Sequence, residues 1–122
     1  MLVFDGSTSM VDSSMGIQGL PKIAEAQRAM ARALPEIEDV RRIGLMIYGP
    51  QPIGDACEGI SLRFLPIENS AAPILEATRS FAPGGLTPLT ASVARAADVT
   101  AFPLIHEVYP AAVKKFQHSF GL

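Results

Sequence analysis

The stretch "RRIGLMIYG", residues 41–49, constrains the fold more than any other. After its two arginines it is nearly continuously apolar. It lacks the alternation of polar and apolar residues that marks a strand wetted on one face. A short run of this kind reads as a strand covered on both faces. Whatever the chain folds into must therefore supply two layers to hide it.

The flanking sequence supplies candidates for those layers. Leu2–Phe4 reads as a second short buried strand, and Ser7–Gly19 as a loop rich in Ser and Gly. A helix is expected over Leu20–Leu34, with Pro21 in its first turn, where a missing N–H costs nothing. Its apolar set is Ile23, Ala26, Met30, Ala33 and Leu34. Pro35–Arg42 reads as a charged exit. "PQPIGDACEG" (50–59) is a turn-rich connection into a strand over 60–67. There Ile60, Leu62 and Phe64 alternate with Ser61, Arg63 and Leu65, as on an edge strand. Ser70 is placed to cap a helix through Phe81, with Ile74, Leu75, Thr78 and Phe81 on one face. "APGGLTP" (82–88) is a turn, and Leu89–Phe102 a third helix with Pro88 in its first turn.

The order β-α-β-β-α-α predicts an α/β fold, a Rossmann-like open sheet with helices on both faces. In such sheets ligands bind beyond the carboxyl ends of the strands. Asp5 stands at one.

Composition limits the alternatives. At 122 residues the chain is one domain at most, and 48% hydrophobic residues provide ample core. A net charge of −2, with no Lys/Arg cluster, argues against nucleic acid as partner. The single cysteine, Cys57, rules out an internal disulfide framework. No apolar run reaches the roughly 18–20 residues of a membrane span, and no signal-peptide pattern is seen. The compartment is left open.

The first strand ends in "DGSTSM", so Asp5, Ser7 and Ser9 form D-x-S-x-S on the loop leaving it. In a turning loop that spacing lets three side chains face one spot. One carboxylate and two hydroxyls are hard oxygen donors of low total charge, suited to Mg²⁺ with several retained waters. No thiol or imidazole lies near, which argues against zinc. The competing reading is an ordinary solvated turn in which Ser9 or Ser13 caps a helix.

This opening resembles that of the von Willebrand factor type A (VWA) family, in the form written by bacterial members. The likeness extends through the helix from Leu20 and "RIGLMIYG" to "GGLTPLTASVARAAD" (84–98), covering roughly residues 2–101. The family's metal-ion-dependent adhesion site begins with D-x-S-x-S, and a Gly-rich turn delivers a threonine to the metal. Thr87 matches that threonine. The resemblance implies Mg²⁺ or Mn²⁺ as cofactor, with Ser7 and Ser9 as direct ligands. It gives Asp5 a role through water, Thr87 one from the second loop, and a partner protein's acidic residue the completing position. Thr87 before Pro88 is also readable as a simple helix N-cap. Asp12 and Asp55, on loops, read as solvated rather than ligating.

The pattern then breaks. The family continues with a strand ending in T-D-G or similar, whose aspartate is the last piece of the metal site. Here "PLIHEVYPAAVKKFQHSFGL" (103–122) contains no Asp, and Pro103 and Pro110 are expected to break regular structure. Residues 1–102 thus read as the N-terminal part of a VWA-like domain, and 103–122 as a divergent tail. Truncation with an altered end, or a divergent short member, would each produce this. The sheet is then expected to be incomplete at its C-terminal end, with an open edge at Leu2–Phe4 prone to self-association. Metal binding should be weak.

Enzymatic readings find less support. A D-x-D-x-T phosphatase pattern would need a second Asp where Ser7 stands, and no P-loop occurs. A serine hydrolase needs an activating base, and the only histidines, His106 and His118, fall in the tail. The expected function is a metal-dependent protein-binding module and not an enzyme. A non-functional remnant is the first alternative, a metal-dependent phosphoryl-transfer hydrolase the second.

Overall fold

The computed structural model describes residues 1–13, 19–50 and 56–108. Six elements follow the expected order: β1 (Leu2–Asp5), α1 (Lys22–Glu38), β2 (Ile43–Tyr48), β3 (Ser61–Ile67), α2 (Ala71–Arg79) and α3 (Leu89–Val108). Short 3₁₀ turns occupy Thr8–Val11 and Ala56–Gly59.

The apolar run of β2 does what its composition demands. Every residue from Ile43 to Tyr48 is buried, and the strand lies at the centre of a three-stranded sheet of order β1-β2-β3. Its side chains alternate between two cores. Ile43, Leu45 and Ile47 pack with Phe4, Leu34 and Ile74, so α1 and α2 cover that face. Met46 and Tyr48 pack with Ile60 and Ala96, with Val3, Ala91 and Val99 beside them, so α3 covers the other. The fold is mixed α/β with helices on both faces of the sheet.

β1 runs parallel to β2, with Leu2 opposite Leu45 and Asp5 opposite Tyr48. β3 runs antiparallel to β2 and forms one edge of the sheet, as expected for its wetter pattern. The expected alternation along β3 does not hold, however. Phe64 pairs with Leu45 but Leu62 pairs with Met46, so a bulge at Arg63 puts them on opposite faces. Leu62 is 41% exposed as a result, while Phe64 packs against the α1–α2 core. A second irregularity lies opposite Gly44. A Cβ there would sit 2.8 Å from the Pro66 nitrogen and 2.9 Å from the Phe64 carbonyl, so the bulged strand closes on a residue without a side chain.

Helix ends depart from the expected bounds for identifiable reasons. α1 passes through Pro35 to Glu38, although Pro35 cannot donate to the Ala31 carbonyl. Leu34 is buried and Glu38 reaches across to α2, and both tie down the last turn. Ala33 lies on the exposed side of α1, not in its packing face. Ser70 does not cap α2. Its backbone is already helical and its buried hydroxyl has no partner among the described residues, while Glu38 Oε2 accepts the Ala71 amide at 2.7 Å. α2 stops at Arg79, where the amide and hydroxyl of Ser80 both turn back to the Ala77 carbonyl. Phe81 lies beyond the helix and still packs on the core, its ring edge-on to Phe4 at 6.2 Å.

The expected break at Pro103 does not occur, since α3 continues to Val108 and crosses the 102/103 boundary. A proline removes one amide donor, here toward the Val99 carbonyl. The turns before it are held against the sheet by Ala91, Ala96 and Val99. Pro110, the other expected break, lies outside the described residues.

Candidate functional site

β1 delivers Asp5 to the carboxyl end of the sheet, and the parallel ladder continues one step further, with the Gly6 amide donating to the Tyr48 carbonyl at 2.7 Å. The chain then turns sharply. Asp5 Oδ1 accepts the Ser7 amide at 2.8 Å, an Asx-type turn that fixes the carboxylate over the loop. Met10 donates to the Ser7 carbonyl and opens the 3₁₀ turn over Thr8–Val11. Gly49, at φ +110°, lies so close beneath this loop that a Cβ would overlap the Ser7 amide. Only glycine permits that approach.

The turn brings two hydroxyls together. Ser7 Oγ and Ser9 Oγ are 3.3 Å apart, Ser7 buried and Ser9 exposed, so the pair is accessible from the Ser9 side. The second expected loop docks beside them. Gly84 donates to the Gly6 carbonyl at 2.9 Å, and Thr8 donates to the Gly85 carbonyl from both its amide and its hydroxyl. Gly85 takes φ +72° in this turn. Thr87 follows two residues later, exposed, and its carbonyl accepts the Leu89 amide at the start of α3. The fold thus gathers Asp5, Ser7 and Ser9 on one turn and docks the loop that carries Thr87 against it.

The donor set is compatible with a small hard cation. Two adjacent ligands of an octahedral Mg²⁺, each at roughly 2.1 Å, stand about 3 Å apart. The Ser7 and Ser9 hydroxyls share a long hydrogen bond at 3.3 Å, a spacing also near that octahedral edge. Asp5 supplies the carboxylate. Among the described residues no three His, Cys, Asp or Glu side chains gather as they would around a metal, and the expected set needs only one. Asp12 is exposed, its carbonyl accepting the Lys22 amide near the start of α1. Asp55 lies outside the described residues.

Two residues of the site escape the motif. Thr8, the unassigned x of D-x-S-x-S, clasps the two loops together. Tyr48 ends β2 beside Asp5, and burial first, then the neighbouring Asp5 carboxylate, push the phenol up to about 12. A polar-tipped residue at the carboxyl end of an otherwise apolar strand was the available signal.

Comparison of the chain with protein-family models, with curated proteins and with solved structures finds no match. Among the described residues, no helix is long and apolar enough to cross a membrane.

Proposed function

We propose that this chain is a VWA-type protein-binding module with a Rossmann-like sheet, built around a divalent-cation site at the carboxyl end of β1. The observation that carries the reading is the Ser7–Ser9 hydroxyl pair, 3.3 Å apart, on the turn that Asp5 holds through the Ser7 amide. Ser7 and Ser9 would hold Mg²⁺ or Mn²⁺ directly, Asp5 through water, and Thr87 from the docked loop. A cation bound by two neutral hydroxyls and one carboxylate keeps net positive charge, and that charge would attract an acidic side chain of a partner protein.

With a single carboxylate in the set, the attraction that offsets cation dehydration is small, so binding is weak. That same scarcity favours a second reading, a remnant that no longer holds a cation. Titration with Mn²⁺, followed by calorimetry and by paramagnetic broadening of the Ser7 and Ser9 amides, separates them. The binding reading expects a dissociation constant weaker than about 10⁻⁴ M, and loss of the broadening in Ser9→Ala. Wild type and Ser9→Ala behaving alike would overturn it.

A further inference from the structure

Gly6 follows Asp5 in D-x-S-x-S, and its backbone angles do not explain why glycine stands there. It is not among the residues with positive φ, unlike Gly19, Gly49 and Gly85. What excludes a side chain is space. A Cβ on Gly6 would lie 2.7 Å from Phe81 Cε2 and 3.1 Å from Phe81 Cζ. The Tyr48 carbonyl oxygen would be 3.0 Å away. The Phe81 ring therefore fills the place that a side chain at position 6 would take.

That ring is anchored in the core. Phe4, buried in β1, meets it edge-on with 6.2 Å between the ring centroids. Phe81 also opens the segment that leads to Thr87. α2 ends at Arg79, and three residues after Phe81 the Gly84 amide donates to the Gly6 carbonyl at 2.9 Å. One short segment thus grips Gly6 twice, through a ring and through an amide. A single hydrogen bond would let the loop pivot about the carbonyl. A packed ring at a second point on the same residue opposes that pivot.

We propose that Phe81 is a positioning residue: its ring, seated on Gly6, sets the angle at which the 82–88 loop docks on the Ser7–Ser9 turn, and so where Thr87 stands. The inference rests on the cation reading for its purpose, but its geometric content is separate. Leucine at position 81 would keep the core contact and lose the reach to Gly6. Alanine at position 6 would push the ring off its seat. With both changes the added methyl would enter space that the ring has left. Compensation should be partial, because the Tyr48 carbonyl stays close to that methyl.

The experiment compares the full chain as wild type, Phe81→Leu, Gly6→Ala and the double variant by NMR in metal-free buffer. In wild type a nuclear Overhauser contact should join a Gly6 α-proton to the Phe81 ring. Its absence overturns the proposal before any variant is made. Hydrogen-exchange protection of the Gly84 amide should fall about tenfold in each single variant. Independent losses would multiply to about a hundredfold in the double variant, and coupled residues should give clearly less. The full product overturns the proposal. So does an equal loss of protection at the Leu45 and Ile47 amides of β2, which would make Phe81 a matter of overall stability. Mn²⁺ is then added to wild type and Phe81→Leu. Broadening at Thr87 should weaken relative to that at Ser7, a ratio that overall stability does not set. An unchanged ratio in a chain that binds Mn²⁺ overturns the proposal. A wild type without response to Mn²⁺, with the coupling at Gly84 intact, overturns the cation reading and supports Phe81 as the group that sets the loop.

Discussion

The amide and the hydroxyl of Thr8 both donate to one acceptor, the carbonyl of Gly85, at 3.2 and 3.0 Å. The two residues are 77 positions apart in the chain. Their contact joins the turn that carries Ser7 and Ser9 to the loop that carries Thr87. With Gly84 donating to the Gly6 carbonyl, it makes the two loops one rigid rim at the carboxyl end of the sheet.

Thr8→Val keeps the branched shape and the amide bond but removes the hydroxyl. Because the site is exposed, the stability loss should be modest, about 0.5–1 kcal/mol. Mn²⁺ broadening at Thr87 should weaken more than that at Ser7, since the clasp fixes the relation between the loops. Urea unfolding measures the first and paramagnetic NMR the second. Equal changes at both residues would mean that the clasp does not set loop docking.

The start of α2 makes a prediction of opposite signs. Glu38 Oε2 accepts the Ala71 amide, whereas the buried Ser70 hydroxyl has no partner among the described residues. Glu38→Ala should destabilise by about 1 kcal/mol, as loss of a helix cap does. Ser70→Ala removes a desolvated hydroxyl and should be neutral or stabilising by up to about 1 kcal/mol. Denaturant midpoints for the pair give the answer. Ser70→Ala as the more damaging change would return the cap to Ser70.

Tyr48 gives an alkaline signature. Its phenol rises from the usual 10.0 to about 12 in the fold, through burial first and Asp5 second. The unfolded chain therefore ionises first. The stability this group contributes is complete below about pH 10 and is lost as pH climbs toward about 12. In metal-free buffer, wild type should lose more stability than Tyr48→Phe across that window, and the two should run parallel below it. Parallel curves throughout would mean that the phenol is not held by its surroundings.

What the sequence made legible, and what it did not, divides along a physical line. Buried strands and the order of elements could be read because β2 shows an unbroken apolar run, and a short run of that kind must be covered twice. The turn around Asp5, Ser7 and Ser9 could be read because its contacts are two residues apart. Glu38 at the foot of α2 could not, because its partner is 33 residues distant and any of several side chains would serve as well on paper. The bulge at Arg63 was hidden because a bulge shifts register without altering composition. Pro35 and Pro103 read as helix stops because local propensity counts the lost amide and not the packing that outweighs it. Tyr48 was overlooked for the reverse reason: within "RIGLMIYG" its ring reads as core, and only the register beside Asp5 reveals the hydroxyl.

The open side of β1 carries the last prediction. Both faces of this strand are covered, Phe4 in the α1–α2 core and Val3 in the α3 core, yet among the described residues its only sheet partner is β2. In a parallel ladder, residues alternate in the edge to which they turn their amides. Gly6 donates inward to Tyr48, so Phe4 faces β2 as well, and Val3 and Asp5 turn their amides to the open edge. Hydrogen exchange should therefore be slow at Phe4 and much faster at Val3, although both side chains pack against a core. A covered strand with an unpaired edge is also a template for another strand, and β1 carries neither proline nor lysine to blunt it. Light scattering should show self-association as concentration rises, and Val3→Pro should suppress it, because proline at an outward amide costs no ladder bond. Slow exchange at Val3 in a monodisperse monomer would show instead that the edge is occupied within the same chain, and pairing between copies would be excluded.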